Sequence, residues 1–267
     1  MLSWSPENIN VEQIKLKAKE FENPKILADV IVKNFLDDNY GFAICDFNGC
    51  NNMVKFFEKT ILFLGEKLPQ NLSKDLSVVV EDKGVSMSEG GRYHKSTEGG
   101  SLHTDSPQWQ HPPDYISLYC INQSEVGGES KLVSALKIWQ IIKQTKPDFA
   151  DSLMCNYYFD KRGEFSENEP KTTMSPIFLN DNGQIKFRFL DKYIYSGHEI
   201  EDFPLKKIQL QAIEYLSHLL SNESLIYSYK LKPGEALFCN NHIIAHGRSE
   251  YKNGATKRKL IRHWIKK

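Results

Sequence analysis

Short apolar runs, bounded by glycine, proline or other turn residues, recur along the chain from residue 41 onward. Runs of this length are typical of buried strands, whereas helices need longer periodic stretches. Many short strands must close into packed sheets, so this pattern predicts a mainly β core with added helices. The predicted strands cover residues 41–47, 78–80, 116–121, 131–133, 176–179, 184–190, 225–231, 235–240 and 257–265.

Helical spacing of apolar residues is found around this core. It predicts two helices within residues 7–37, the second opened by Pro24, and further helices over 52–67, after a Ser134 cap, and over 205–220. Residues 160–175 are polar and aperiodic, which predicts a long loop of the kind that often covers a site. No repeat or linker divides the chain, so we expect residues 1–267 to form one domain.

The charge balance and the cysteine content argue against several classes of protein function. Thirty-four basic residues balance thirty-four acidic ones, which argues against nucleic acid as the main partner. No run of about 18 apolar residues and no leader-like N-terminus is visible, so we expect no membrane partner. The five cysteines are scattered without a C-x-x-C pair, which disfavours disulfides and structural zinc. We therefore expect a cytoplasmic protein, and the sequence leaves its oligomeric state open.

The segment from Ser101 to Asp105 places an imidazole, His103, and a carboxylate, Asp105, two positions apart. On extended chain both side chains leave the same face and can reach one ion. Nitrogen and oxygen donors together suit an ion such as Fe(II), which needs a third ligand to complete a facial triad. His246 is the candidate for that ligand, and His242, four residues earlier, is its rival.

Four motifs together resemble the taurine dioxygenase family of Fe(II)- and 2-oxoglutarate-dependent oxygenases. They are H-T-D at 103–105, G-G-E-S at 127–130, N-N-x-x-x-x-H-G-R at 240–248 and R-x-x-x-R at 258–262. The resemblance implies a double-stranded β-helix, or jelly roll. It also implies Fe(II) held by His103, Asp105 and His246, with 2-oxoglutarate and O₂ as co-substrates.

By the same resemblance, Ser130 and Arg258 would contact the distal carboxylate of 2-oxoglutarate, and Arg262 would hold an anionic group of the substrate. A guanidinium suits a carboxylate because it offers two parallel donors. The family usually has threonine where Ser130 stands, and the hydroxyl is kept. It usually has aspartate where Asn240 stands, which changes the surroundings of the site but removes no ligand. Asp105 is retained, which disfavours a halogenase.

The substrate is predicted to be a small anionic molecule, such as an amino acid or a natural-product intermediate. Tyr93 and His94, in the polar loop before the iron motif, and Asn241 are predicted to join Arg262 in contacting it. Trp109 and His111 are candidates for the pocket rim. Two other classes stay open: a metal-binding jelly-roll protein without oxygenase activity, and a zinc hydrolase, which has no comparable motif.

Overall fold

A computed structural model describes residues 3–70, 74–84 and 95–267. Its helices are α1 (Val11–Ile14), α2 (Pro24–Ile31), α3 (Met53–Leu64), α4 (Ala135–Thr145), α5 (Pro147–Leu153), α6 (Asp191–Ile200) and α7 (Lys207–Leu220). Its strands are β1 (Lys15–Lys17), β2 (Phe42–Asp46), β3 (Glu66–Leu68), β4 (Val78–Glu81), β5 (Tyr115–Asn122), β6 (Val126–Gly127), β7 (Ser130–Ser134), β8 (Asn156–Asp160), β9 (Thr172–Pro176), β10 (Phe178–Asp181), β11 (Gln184–Phe187), β12 (Tyr227–Tyr229), β13 (Glu235–Asn240), β14 (Ile244–Arg248), β15 (Tyr251–Lys252) and β16 (Lys259–Lys266).

Two sheets face each other and enclose the site. The larger runs in the order β1-β2-β13-β5-β16-β3, with β4 also paired to β16, and the smaller runs β12-β7-β14. Apolar residues of both sheets share one buried cluster, with Ile116 and Leu260 from the larger sheet and Leu132 and Ile244 from the smaller. A mainly β double-sheet core with added helices is the jelly roll that the sequence predicts, and the fold prediction is confirmed.

Helices cover the outer faces of both sheets. Helices α2 and α3 pack on the larger sheet, where Leu27 and Phe57 meet Tyr119 and Phe238. Helices α4 to α7 cover the smaller sheet through a separate apolar cluster. The larger sheet takes strands from both ends of the chain, from β1 to β16. We therefore propose that residues 1–267 act as one domain.

The structure corrects three local predictions. The first N-terminal helix is a single turn, because residues 15–17 instead pair in parallel with β2 at the edge of the larger sheet. Residues 172–175, predicted as loop, belong to β9, which pairs with β8 and leaves a shorter loop at 161–171. Helix α6 was not predicted, although it packs through Ile194 into the helical layer.

Two further observations concern the chain as a whole. None of the helices in the described ranges is long and apolar enough to cross a membrane. All five cysteines are free thiols in the structure.

Candidate metal and co-substrate site

His103 and His246 meet because their segments pair as antiparallel backbone. The His103 amide donates to the His246 carbonyl at 2.9 Å, and the His246 amide donates to the His103 carbonyl at 2.8 Å. Residues directly opposite each other in such a pair project to the same face. The two imidazoles are therefore neighbours, with ring centroids 4.9 Å apart.

Asp105 completes the group from two residues beyond His103. Its Oδ1 lies 3.8 Å from His103 Nε2 and 3.7 Å from His246 Nε2, longer than a hydrogen bond in both cases. The three donor atoms lie within 4.8 Å of one another. An ion with ligand bonds of about 2.0–2.2 Å fits between donors at such separations. Two imidazole nitrogens and one carboxylate oxygen form the donor set typical of non-haem Fe(II).

The protonation states of the group suit a metal. Burial raises the pKa of the Asp105 carboxyl, but the Arg262 guanidinium and the facing histidines outweigh it and hold that pKa well below its usual value. Burial lowers the pKa of the His246 imidazole below its ordinary value, opposed by Asp105 and assisted by His103 and Arg262. At neutral pH the site therefore presents a carboxylate beside a neutral His246.

The outer nitrogen atoms of the two histidines differ in their surroundings. His103 Nδ1 lies 2.8 Å from the Ser101 carbonyl, which assigns the proton to Nδ1 and leaves the Nε2 lone pair toward Asp105. His246 Nδ1 is buried and has no hydrogen-bond partner among the described residues. The ring of His246 is thus positioned mainly by its backbone pairing.

Asp105 is fixed through both its backbone and its second carboxylate oxygen. The Asn241 side chain accepts a hydrogen bond from the Asp105 amide at 2.8 Å and donates to the carbonyls of Asp105 and Pro113. Asp105 Oδ2 accepts a hydrogen bond from Trp264 Nε1 at 2.6 Å and lies 3.4 Å from Arg262 Nη1. Oδ1 is consequently the oxygen that faces the two histidines.

A cavity extends from this group between the two sheets. Its walls include the apolar residues Ile116, Leu118 and Leu260, and Ser130 and Arg258 also line it. Arg258 is 3% exposed, and among the described residues no carboxylate lies within ion-pair distance of it. Burial lowers the pKa of the Arg258 guanidinium to about 10, so it stays charged at neutral pH. A buried cation of this kind is costly unless an anion binds beside it.

Neighbouring groups hold Arg258 in place without neutralising it. Its Nε donates to Gln123 Oε1 at 3.1 Å, and its guanidinium lies 5.2 Å from the centre of the Tyr251 ring. Gly128 has a positive φ of 80°, and a Cβ there would lie 2.3 Å from Ser124 Oγ and 3.2 Å from Arg258 Nε. Glycine in the G-G-E-S motif therefore leaves the space that the arginine needs.

Arg262 lies at the metal end of the same cavity. Its Nε donates to Gln70 Oε1 at 2.8 Å, and its guanidinium lies 4.7 Å from the centre of the Trp264 ring. Both predicted arginines thus line one cavity, although Arg258 precedes β16 and a register irregularity follows at residues 259–260.

The structure separates His246 from its rival. His242 Nε2 lies 2.8 Å from Asp114 Oδ1, so this imidazole is hydrogen-bonded to a carboxylate outside the cavity. The triad prediction with His246 therefore has the better geometry. Asn241 is corrected: it is 1% exposed and its amide holds main-chain groups, so we assign it a positioning role instead of the predicted substrate contact.

The other residues that were predicted to contact the substrate or to form the pocket rim lie in different surroundings. Tyr93 and His94 lie outside the described residues. Trp109 packs edge-on against Trp264, with ring centroids 5.1 Å apart, and His111 is exposed.

Sequence reasoning missed one residue that holds Asp105, Trp264, and one that lines the cavity, Arg248. Trp264 lies two residues after Arg262 on β16, and strand alternation alone would have placed it on the same face. Arg248 also lines the cavity, where its guanidinium donates to the carbonyls of Ser96, Thr97 and Glu98. It therefore anchors the segment that leads into the metal motif.

The fold and the site together define a jelly-roll protein with two histidines and one carboxylate that could hold a metal ion. Residues 44–264 match the family described as "Taurine catabolism dioxygenase TauD, TfdA family". The chain belongs to this family, which confirms the resemblance drawn from the four motifs.

Curated relatives are similar to parts of the chain. FR-33289 synthase of Streptomyces rubellomurinus is 29% identical over 211 residues, which cover 76% of this chain and 61% of the relative. Gamma-butyrobetaine dioxygenase of Homo sapiens is 26% identical over 159 residues, covering 58% of this chain and 40% of the relative. The chain thus spans about half the length of these relatives.

Solved structures share the fold. Asparagine oxygenase in complex with Fe(II), 2S,3S-3-hydroxyasparagine and succinate superposes with a TM-score of 0.69 at 16% identity, over 91% of this chain and 78% of that one. The non-heme iron oxygenase OrfP, in complex with Fe and alpha-ketoglutaric acid, gives a TM-score of 0.68 at 14% identity, over 91% and 80%.

Proposed function

We propose that this chain is an Fe(II)- and 2-oxoglutarate-dependent dioxygenase that hydroxylates an unactivated C–H bond of a small anionic molecule. The observation that carries the proposal is that one cavity holds both the His103, Asp105 and His246 donor set and the buried cation Arg258, which has no carboxylate partner in the described part of the chain. Membership of the TauD/TfdA family supports it.

His103, Asp105 and His246 would hold the iron. Their donors come from one short extended segment and from β14, so the backbone pairing of the two segments sets the separation of the ligands. Three protein ligands leave further coordination positions open, which a 2-oxo acid and O₂ require. When bound, Fe(II) with 2-oxoglutarate and O₂ would supply the oxidising chemistry: one oxygen atom of O₂ enters succinate, which is released with CO₂, and the other becomes the hydroxyl group of the product.

Arg258 and Ser130 would bind the distal carboxylate of 2-oxoglutarate. The guanidinium offers charge and the hydroxyl offers a further donor, both on the cavity surface. The apolar part of the cavity wall includes Ile116, Leu118 and Leu260, which suit the two methylene groups of the co-substrate. Burial of the pair excludes water from this contact, which strengthens it.

Arg262 would orient the substrate. The dianionic co-substrate would offset the charge of Fe(II), and Asp105 offsets one of the three arginines that line the cavity among the described residues, Arg248, Arg258 and Arg262. The cavity therefore keeps an excess of positive charge, which favours an anionic group on the substrate. The names of relatives fit a small molecule: gamma-butyrobetaine, uridine-5'-phosphate and asparagine. We assign an amino acid or a natural-product intermediate with an acidic group as the substrate class. The protein's share is to place one C–H bond beside the metal.

A metal-binding jelly-roll protein without catalysis is the competing function. That function gives no reason for a buried arginine and a serine hydroxyl on the cavity wall, since no hydrogen bond or ion pair in the described part of the chain joins either to the three donors. A zinc hydrolase would need a general base beside the metal. Asp105 is the acidic side chain among the described cavity residues, and it is already one of the three donors.

The proposal is tested by succinate release from 2-oxoglutarate and by O₂ consumption. The Fe(II)-loaded protein is screened against amino acids, phosphonates, phosphates and betaines. We expect one class of anion to increase succinate formation by at least about tenfold over the rate without substrate, because a correctly placed substrate triggers the reaction. Metal binding without any succinate formation, with or without these compounds, would instead support the non-catalytic alternative.

A further inference from the structure

The indole N–H of Trp264 donates a hydrogen bond to the carboxylate oxygen of Asp105 that does not face the histidines. Trp264 Nε1 donates to Asp105 Oδ2 at 2.6 Å, whereas Oδ1 lies between the two imidazoles. The second group near Oδ2, Arg262 Nη1, is farther away at 3.4 Å. A carboxylate can bind a metal through one or both oxygens, and a strong hydrogen bond to one oxygen favours the single-oxygen mode.

Other residues fix the position of that indole. Trp109 packs edge-on against it at an interplanar angle of 87°, and the Arg262 guanidinium lies over its ring. Trp109 is in turn held by Glu164, whose Oε2 accepts hydrogen bonds from Trp109 Nε1 and Gln108 Nε2, both at 3.0 Å. Glu164 belongs to the loop between β8 and β9. This loop is therefore connected to Asp105 by a series of contacts, from Glu164 to Trp109, from Trp109 to Trp264, and from Trp264 to Asp105.

We propose that Trp264 is a positioning residue that keeps Asp105 a single-oxygen metal ligand, and that Trp109 and Glu164 hold the indole in this position. The inference rests on the proposed metal site and deepens it. Its consequence is that Oδ2 cannot compete with 2-oxoglutarate for a coordination position. Without the indole N–H, the carboxylate can rotate and offer both oxygens to the metal.

The test uses Trp264→Phe, which removes the N–H and retains an aromatic ring. Trp139→Phe is the matched control, because Trp139 lies on α4 in the helical layer away from the cavity. Two quantities are measured on each folded protein: the water-proton relaxation of bound Mn(II), and the Kd of 2-oxoglutarate for the anaerobic Fe(II) protein. Neither depends on turnover.

In Trp264→Phe we expect bound Mn(II) to increase the relaxation rate of water protons less than in the wild type, because a second carboxylate oxygen displaces a water molecule from the metal. The Kd of 2-oxoglutarate should rise about tenfold, since a hydrogen bond to a buried charged group is worth about that factor. Metal affinity should fall by less than the roughly tenfold typical for loss of a hydrogen-bond partner of a ligand, because the freed Oδ2 adds a second oxygen contact to the metal. Trp139→Phe should match the wild type in all three.

Two further variants keep the test decisive if Trp264→Phe does not fold. Trp109→Phe and Glu164→Ala each remove the bond that holds Trp109, and both should raise the Kd of 2-oxoglutarate by about threefold. Unchanged relaxation and unchanged Kd in the folded variants would overturn the role of Trp264. A wild-type protein that binds neither Fe(II) nor 2-oxoglutarate would contradict the proposed function itself, so the two failures are distinguishable.

Discussion

The two faces of β16 both carry buried basic side chains, but in the described part of the chain only those on the outer face are paired with a carboxylate of another element. On the outer face His263 is fully buried, with Nε2 2.7 Å from Ser77 Oγ and 3.3 Å from Glu58 Oε1. Lys67 pairs with the same Glu58. On the inner face, Arg262 lies near the metal-site carboxylate Asp105, and Arg258, just before the strand, lacks a carboxylate partner among the described residues.

The difference distinguishes polar side chains that stabilise the fold from polar side chains that are available to bind a ligand. Outer-face polar groups are satisfied by protein partners, so they need nothing further and mainly stabilise the packing of α3 on the sheet. Inner-face groups are held in position, yet their donors and charges remain directed into the cavity. Substitutions on the inner face should therefore change ligand binding, and those on the outer face should change stability.

Loss of a metal ligand should give the largest effect. Asp105→Ala or His246→Ala should reduce succinate formation by more than about a thousandfold, because the metal loses a ligand that sets its geometry. His242→Ala is the control, since His242 pairs with Asp114. Metal content and far-ultraviolet circular dichroism accompany the assay. Full turnover in Asp105→Ala, or loss of metal in His242→Ala, would contradict the ligand assignment.

Arg258→Ala should give the next largest effect. The Kd of 2-oxoglutarate should rise about a hundredfold with metal affinity unchanged, because the distal carboxylate would lose its buried charged partner. Lys257→Ala removes an exposed cation from the neighbouring position and should have no such effect. If Arg258→Ala and Lys257→Ala bound 2-oxoglutarate with the same Kd, Arg258 would act no differently from an exposed surface charge, and its proposed role would be contradicted.

Asn241→Ala tests the positioning role that the structure gives this residue. Removal of the amide leaves the buried Asp105 N–H without its partner, so metal affinity should fall about tenfold. The KM for substrate should change less than metal affinity does. Asn240→Ala is the neighbouring control, because the Asn240 amide donates to the Leu36 carbonyl outside the cavity. A selective rise in substrate KM would restore the direct substrate contact.

Glu58→Gln should give the smallest effect and one on stability alone. A hydrogen bond from His263 and the Lys67 ammonium outweigh burial and lower the pKa of Glu58 from 4.5 to about 2. The folded-state pKa is depressed, so this stabilisation is present above pH 4.5 and is lost as the pH falls toward 2.

At neutral pH the variant should therefore be less stable by about 1 kcal/mol, after allowance for solvent screening. Denaturant titrations from about pH 7 down to pH 3 should show a flatter pH dependence than in the wild type. Glu22→Gln, at an exposed position, serves as the charge control. A changed Kd of 2-oxoglutarate in Glu58→Gln would show that the two faces of β16 are not independent.

Local geometry explains which parts of the site the sequence could predict. His103 and Asp105 are two residues apart on extended chain, so their shared face follows from strand alternation. The distant motif around His246 was placed by its order and spacing relative to the others. Asn241 was misassigned because its role depends on the path of residues 113–114, which no local pattern encodes.

The same limit applies to the fold. The second N-terminal helix was predictable because Asn23 caps it and Pro24 opens it. The first was lost because residues 15–17 form a strand at a sheet edge, and Lys15 pairs with the distant Glu235 at 2.6 Å. Tertiary pairing outweighs local helical spacing in so short a segment.

The central claim is that one inner-face cavity binds Fe(II) at one end and a carboxylate of 2-oxoglutarate at Arg258. Its most direct test is an anaerobic titration of the Fe(II) protein with 2-oxoglutarate, followed by the visible charge-transfer band of the chelate. We predict a saturable band in the wild type and in Lys257→Ala, and a band that needs far more 2-oxoglutarate in Arg258→Ala. Tight Fe(II) binding without any band in the wild type would contradict it.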